Sequence, residues 1–466
     1  MKNLLAITSN FSGKKIIVVG DVMLDKYISG DVSRISPEAP IPVIKVERES
    51  FSAGGAANVA ANIKTLGGNA VLFGFLGNDD AGKKLTGILA EKEIKFYSES
   101  DSSTTLKVRV IGRNQQFVRM DYESQEIKKM SGKMRASLLE EAADSDAIIV
   151  SDYAKGTVTP ELMRAVLSAG KRVIIDPKPS NFQLYFGCFL LTPNEKEALE
   201  ISGKSDFTSA GRYIRAKSGA NVIITRGEKG MALFSDKEME IPTYAQEVYD
   251  VSGAGDTVIS ALALSLASNA SLEQAAIISN HAAGISVSKA GTYQVKLSKL
   301  ESKLSGEEKK VRTFQEIIET VSDLKLKGKK IVWTNGCFDL LHEGHVKYLS
   351  RARSEGDCLI VGINSDSSIQ RIKGSSRPIR PESARAEILS ALGCVDYVLV
   401  FSEDSPARYL EAFRPDVYAK GGDYNIETIN QQERRIVEGY GGKIAIIQLK
   451  EDISTTALIE RIRNSH

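Results

Sequence analysis

The chain has 466 residues, 42% hydrophobic and 26% charged, a globular composition with more length than one ordinary core uses, so two domains or more are expected. Its 61 Lys and Arg against 59 Asp and Glu leave a formal charge of +2, which gives no reason to expect a nucleic acid or a membrane surface as partner. The start, MKNLLAITSNFSGKK, is too briefly apolar for a secretory leader. Four scattered cysteines (Cys188, Cys337, Cys358 and Cys394) without a CxxC pair suit reduced thiols, so the expected location is cytoplasmic.

In chain order, Lys15 to Gly20 (KIIVVG) is a short β-branched run suited to a buried parallel strand. Comparable runs recur at Ala147 to Val150, Val173 to Ile175, Phe189 to Leu191 and Val222 to Thr225. Helical periodicity separates them, as at Gly55 to Leu66 and Pro160 to Ala169. This alternation predicts an α/β domain with a mostly parallel sheet covered on both faces. Tyr27 to Val46 and Thr104 to Tyr122 instead alternate polar and apolar residues, which predicts a small projecting antiparallel sheet suited to a lid or a dimer contact. Near Lys299 the chain reads KLESKLSGEEKKVR, with no core-facing stripe. A linker over 301–312 is expected there, after a first domain of 1–300 and before a second of 313–466. A helix over Thr313 to Leu326 then opens a second βα series at Ile331 to Thr334, Leu359 to Ile363, Tyr397 to Phe401 and Ile444 to Leu449, a smaller Rossmann-like α/β domain. The longest apolar run, near Val258 to Ala267, is about half of what a membrane span needs.

The first chemical motif is DVSGAGDTV, Asp250 to Val258. Small residues at Gly253, Ala254 and Gly255 let backbone N–H groups approach an anion, and the apolar helical stretch from about Thr257 adds partial positive charge. Asp256 sits at that mouth, where a carboxylate can accept a proton from an attacking hydroxyl. Donors beside a base are what phosphoryl transfer needs. The same four residues could instead simply cap a helix, with Asp256 as N-cap.

The surrounding strings decide between these. DVSGAGDTV resembles the C-terminal signature of the ribokinase-like (PfkB) sugar kinases, usually DTxGAGDxF, with Ser252 and Val258 replacing Thr and Phe. GGAANVA (Gly54 to Ala60) resembles their N-terminal signature, TPNEKE (Thr192 to Glu197) supplies Asn-x-x-Glu, and Thr225-Arg226-Gly227 matches the TxG strand end. The resemblance implies a ribokinase-like fold with Asp256 as catalytic base and the 253–255 amides as anion hole. It implies ATP bound near Asn194, Glu195, Lys196, Glu197, Thr225, Gly227 and Asn280, and Mg²⁺ organised near Asn194 and Glu197 without an assigned direct protein ligand. The sugar would meet Asp21, Asp25, Gly54, Gly55 and Asn58, although Asn58 could equally brace its helix. Lys155 after a strand, and Arg34, Lys107, Arg109, Arg113 and Arg119 on the lid, offer cations to a substrate that already bears a phosphate; exposed strands also carry such charges for their own reasons.

The second motif is TNGCFDLLHEGH, Thr334 to His345, directly after an apolar strand. His342 and His345 are three apart and can share one helical face, where two imidazoles stabilise charge as pyrophosphate departs. Zinc is the alternative for paired histidines, but Cys337 would be the one soft ligand nearby and the spacing is not HExxH. The string resembles the HxGH nucleotidyltransferases, close to the cytidylyltransferase-like form GxFDxxHxGH. That implies in-line attack on an α-phosphorus, with His342 and His345 as catalytic residues and no covalent intermediate. The nucleotide would be lined by Thr334, Asn335, Gly336, Cys337, Phe338, Asp339, Lys347 and Lys373, where Cys337 reads as small packing rather than a nucleophile. Ile453 to Thr456 (ISTT) matches the group's second motif, with Ser454, Thr455 and Thr456 on the triphosphate.

A ribokinase-like half followed by an HxGH half resembles, over essentially the whole chain, the bifunctional heptose-7-phosphate kinase / heptose-1-phosphate adenylyltransferases of Gram-negative bacteria. GDVMLDKY, SRISPEAPIPV, SDYAKG, AQEVYDVSGAGDTV, KGGDY and STT add to that likeness. It implies phosphorylation of D-glycero-β-D-manno-heptose 7-phosphate at C1 by ATP. A separate phosphatase then acts, and heptose 1-phosphate is adenylylated to ADP-heptose for the lipopolysaccharide core. Small-molecule phosphosugars are the expected partners, and a homodimer is expected. The alternative keeps two enzymes but changes the substrates, to another sugar kinase fused to a cytidylyltransferase.

Overall fold

The computed structural model describes residues 2–101, 103–112, 115–124, 126–244, 248–289, 291–305, 310–421 and 427–448. The chain divides into two compact units, residues 1–307 and 308–466.

In the first unit the apolar runs become strands β1 (Lys15–Gly20), β2 (Val22–Ile35), β3 (Pro42–Gly55), β4 (Asn69–Gly77), β5 (Lys95–Asp101), β6 (Thr105–Gly112), β7 (Gln115–Tyr122), β8 (Ala147–Ser151), β9 (Arg172–Asp176), β10 (Leu190–Leu191), β11 (Asn221–Thr225), β12 (Met231–Phe234) and β13 (Glu238–Ile241). Nine of them form one sheet, ordered β13-β12-β11-β10-β9-β8-β1-β4-β5. It is parallel from β11 to β5, with β12 and β13 antiparallel at one edge. Alternate side chains of β1 point to opposite faces, so Ile16 and Val18 join one core and Ile17 and Val19 the other. The first core also holds helices Ala56–Thr65 and Ala254–Ala267, the two that carry the motif residues Asn58 and Asp256.

The lid strands form a separate four-stranded sheet, ordered β3-β2-β6-β7. Its outer pairs are antiparallel, as alternation predicts, but β2 and β6 run parallel, with Asp25 opposite Lys107. This corrects the expectation of an all-antiparallel sheet. The chain leaves the lid after β3, builds β4 and β5 in the main sheet, and returns to start β6 beside the start of β2, a crossover rather than a hairpin. A second correction concerns the stretch near Lys299. Helix Leu297–Ser305 forms there, with Leu300 and Leu304 fully packed in the first core, so the expected 301–312 linker begins too early.

In the second unit the strands are β14 (Ile331–Gly336), β15 (Cys358–Asn364), β16 (Tyr397–Phe401), β17 (Val417–Gly421) and β18 (Lys443–Ile447), all parallel in the order β16-β15-β14-β17-β18. Thr313 and Glu316 form a capping box on helix Phe314–Leu326. Strand order reverses at β14, whose neighbours are β15 and β17, and a ligand crevice belongs at the carboxyl end of such a switch point. No helix among the described residues is long and apolar enough to cross a membrane.

Candidate active sites

Gly253 is the N-cap of helix Ala254–Ala267, with φ +75°, a left-handed conformation that favours glycine. A Cβ there would lie 3.0 Å from Nδ2 of Asn58. Asp256 therefore stands in the first helical turn rather than at the N-cap, and no side chain caps this helix. Of the three amides expected to face an anion, that of Ala254 donates instead to the carbonyl of Val251 at 3.2 Å, whereas Gly255 is exposed at the helix start.

Asp256 is 3% exposed, and both its oxygens are held: Nδ2 of Asn58 donates to Oδ2 at 2.7 Å, and the Tyr153 hydroxyl donates to Oδ1 at 2.9 Å. Burial pushes its pKa up to about 6, while those two hydrogen bonds pull it back. The result is a carboxylate ionised at neutral pH yet basic enough to take a proton.

Asp25 on β2 is buried and pairs with Arg109 on β6. Gly54 makes that possible, since a Cβ on it would lie 2.6 Å from Asp25 Oδ2. Gly55, at φ +56°, passes equally close to the backbone of Asp21. Asp21 itself corrects an expectation. Its carboxylate accepts backbone N–H groups from Tyr153 at 2.7 Å, Lys155 at 3.1 Å and Thr157 at 3.2 Å. It anchors the loop after β8 instead of facing a sugar. Lys107 is half-buried, its pKa lowered by burial, with Nζ 5.3 Å from the Tyr153 ring centroid. Lys155 pairs with Glu123, Arg119 with Asp121, and Arg34 is exposed; Arg113 lies outside the described residues.

Asn194 and Glu197 form a capping box on helix Glu195–Ser202. The second oxygen of Glu197 pairs with Lys178. Asp176, at the end of β9, places Oδ2 4.0 Å from where a Gly255 Cβ would sit. Burial first, then the carboxylates of Glu197 and Asp256, push its pKa well above the usual range. Such a group of acids fits a hydrated magnesium ion carried on phosphate oxygens; no cluster of three or more His, Cys, Asp or Glu forms a ligand set among the described residues. Thr225 bridges to Asn194 across the strand ends, and Gly227 turns with φ +56°. Glu195 lies 3.5 Å from Arg226, and Lys196 is exposed. Asn280 is redirected: its Nδ2 donates to the carbonyl of Pro242 at 2.7 Å, which fixes backbone. Tyr153, Asp176 and Lys178 were not read from sequence. All three lie at or just past the carboxyl ends of β8 and β9, where parallel sheets place ligands, and that rule was the available signal.

In the second unit the chain leaves β14 and enters helix Glu343–Ser354 at His342, its N-cap. The His342 and His345 rings lie 3.9 Å apart, tilted by 40°, and neither Nδ1 has a hydrogen-bond partner among the described residues. Burial, then the neighbouring His342 and Lys373, lower His345 to about 4; burial also lowers His342. Both are neutral at pH 7. Phe338, at φ +44°, sets its ring edge-on to His345 at 5.3 Å. Asn335 Oδ1 accepts from the Tyr418 hydroxyl at 2.9 Å and from Lys420 at 3.2 Å. Gly336 ends β14, and its neighbour Cys337 is held through its carbonyl by the fully buried Arg385 at 2.7 Å. Lys347 is exposed and Lys373 ends helix Asp366–Lys373.

Two expected nucleotide contacts are structural instead. The Thr334 hydroxyl is buried against that of Tyr348 at 2.6 Å. Asp339 accepts from Arg377 at 2.6 Å and from the N–H groups of Ile379 and Arg380, pinning that loop. Ser454, Thr455 and Thr456, and Gly422 to Tyr424 of the KGGDY segment, lie outside the described residues.

Comparison with known proteins matches both halves. Residues 13–299 fit the pfkB family carbohydrate kinases, and residues 333–461 the cytidylyltransferase-like family. The structure of Arabidopsis thaliana ribokinase complexed with ribose and ATP shares the fold of the first unit, with TM-score 0.51 and 23% identity over 63% of this chain and 98% of that one. The bifunctional protein HldE of Caulobacter vibrioides is 44% identical over 97% of this chain and 98% of its own, and that of Geotalea uraniireducens 42% over 96% of each. The chain belongs to the HldE family of bifunctional proteins, a carbohydrate kinase and a nucleotidyltransferase on one polypeptide.

Proposed function

We propose that the first unit phosphorylates D-glycero-β-D-manno-heptose 7-phosphate at C1 and the second adenylylates heptose 1-phosphate to ADP-heptose, a precursor of the lipopolysaccharide core. The kinase reading rests on Asp256, an ionised buried carboxylate in the first turn of a helix that no side chain caps. Asp256 takes the proton of the anomeric hydroxyl, whose oxygen attacks the γ-phosphorus of ATP as ADP leaves. Helix-start amides around Gly253 and Gly255 receive the phosphoryl oxygens. Magnesium bound with the nucleotide supplies charge neutralisation near Asp176 and Glu197. Asp25 and Asn58 face the sugar, and Lys107 with Lys155 the 7-phosphate.

In the second unit the neutral His342 and His345 hydrogen-bond the triphosphate. A phosphate oxygen of heptose 1-phosphate attacks the α-phosphorus of ATP, and pyrophosphate leaves. Location in the cytoplasm, where both nucleotides and phosphosugars are available, and assembly as a homodimer complete the proposal.

The test uses the full chain with Mg²⁺, ATP and each phosphosugar. Asp256→Asn should abolish ADP formation from the 7-phosphate yet preserve pyrophosphate release with heptose 1-phosphate. Replacing His342 and His345 by Ala should do the reverse, lowering adenylylation by about 100-fold or more. Retained kinase turnover in the first variant, or near-normal adenylylation in the second, contradicts the assignment of that half.

A further inference from the structure

We propose that Lys178 is a catalytic residue of the kinase reaction, its ammonium contacting the oxygens of the phosphoryl group in transit. The inference rests on the kinase reading above and adds a residue to it. Lys178 lies two positions beyond Asp176, just past the carboxyl end of β9. Its Nζ is ion-paired with Glu197 on one side and lies 5.6 Å from the Tyr153 ring centroid on the other. The Tyr153 hydroxyl holds Asp256 at 2.9 Å. The ammonium is therefore placed between the proton acceptor and the nucleotide-side carboxylate, the span that a migrating phosphoryl group crosses.

Its environment suits that task. The Lys178 side chain is 33% exposed while Glu197 is 11%, so the cation and not its partner opens to a ligand. Of the other nearby cations, Arg109 is paired with Asp25 and Arg226 with Glu195 and Glu240, while Lys107 and Lys155 are assigned above to the 7-phosphate. Burial lowers the Lys178 pKa, but the hydrogen bond and charge of Glu197, with Asp176 and Asp152 beyond it, outweigh that and raise it on balance, which keeps the ammonium protonated. In the step itself the sugar oxygen–phosphorus bond forms as the bond from the γ-phosphorus to the β-bridging oxygen breaks. The hydroxyl proton goes to Asp256 and the electron pair leaves on ADP. Lys178 keeps its protons throughout and supplies charge where the equatorial oxygens accumulate it.

The experiment measures ADP formation by the full chain with Mg·ATP and the 7-phosphate, for Lys178→Met, Lys178→Gln and Lys178→Arg. Met and Gln should lower kcat by about 100-fold or more, with KM for both substrates changed less than about threefold; Arg should recover at least about tenfold of that loss. Adenylylation by the same preparations should match the parent, and the circular dichroism and thermal unfolding of each variant should match it too, which shows that the kinase unit is folded. A kcat within about fivefold of the parent in Met and Gln overturns the proposal. So does a rise in KM for Mg·ATP at preserved kcat, because that marks Lys178 as merely an anchor for Glu197. Asp256→Asn run alongside separates the two failures: if it stays active the kinase site is misplaced, and if it is dead while Lys178→Met is active only this inference falls.

Discussion

Tyr153 occupies a coordination position on Asp256 that a substrate hydroxyl also needs, since its own O–H donates to Oδ1 at 2.9 Å. It also lies against Lys107 and Lys178, so it joins what we propose to be the sugar and nucleotide sides of the site. A hydrogen bond to the ionised form favours that form, and this one holds down a carboxyl that burial pushes up to about 6. Removing it in Tyr153→Phe should raise the Asp256 pKa further. Because the base must be ionised to act, kinase kcat/KM in the parent should fall as pH drops through about 6. In Tyr153→Phe that acid limb should move to higher pH, by about one unit if the bond contributes the usual free energy of a charged hydrogen bond. A pH profile from 5 to 9 reads the displacement, and a limb that stays put or moves down contradicts it. Asp256 was legible because glycines, helix and carboxylate fall within one short string. Tyr153 was not, because the bond to Asp256 spans 103 positions and only the fold brings the two together.

Element by element, period and propensity foretold the buried parallel strands best, since residues hidden on both faces leave an uninterrupted apolar run. β1 and β16 carry the bounds their sequences suggested. β17 (VYAKG) escaped because two of its five residues, Lys420 and Gly421, break the run; they emerge at the ligand end of the sheet instead of in the core. Helix Leu297–Ser305 escaped because its charged residues mask a stripe of Leu297, Leu300 and Leu304. The lid was legible as alternating strands, and its alternation carries a further consequence. β7 is an edge strand exposed along its whole length, with Phe117 44%, Val118 47%, Met120 39% and Tyr122 56% exposed. An apolar edge of that kind is an invitation to self-association unless another chain covers it. Light scattering on the parent should give twice the chain mass, and Phe117→Asp with Met120→Glu should give the monomer. A parent that is monomeric at micromolar concentration removes the lid-mediated dimer from the proposal.

For the whole molecule, the distribution of apolar residues is what permits two activities on one chain. The first unit closes two cores, one on each face of its nine-stranded sheet, and among the described residues none of their buried members comes from beyond residue 304. The second unit closes two more around its five strands, with buried members drawn from residue 317 onward. Each unit thus buries its own apolar surface, which is the condition for a domain to fold alone. Cutting between them should leave both chemistries intact: residues 1–307 should phosphorylate the 7-phosphate, and residues 308–466 should adenylylate heptose 1-phosphate, each with kcat within about threefold of the full chain. The two pieces, mixed with a phosphatase that removes the 7-phosphate, should carry the substrate through to the nucleotide sugar at the rate of the uncut protein. The reason is chemical: in the proposed sequence the 7-phosphate has to be removed between the two steps, so the kinase product would leave the chain and covalent linkage would give the intermediate no shorter route. Time courses for cut and uncut protein at equal site concentrations decide the matter, and a cut mixture slower than about a third of the uncut rate would mean that the units depend on each other.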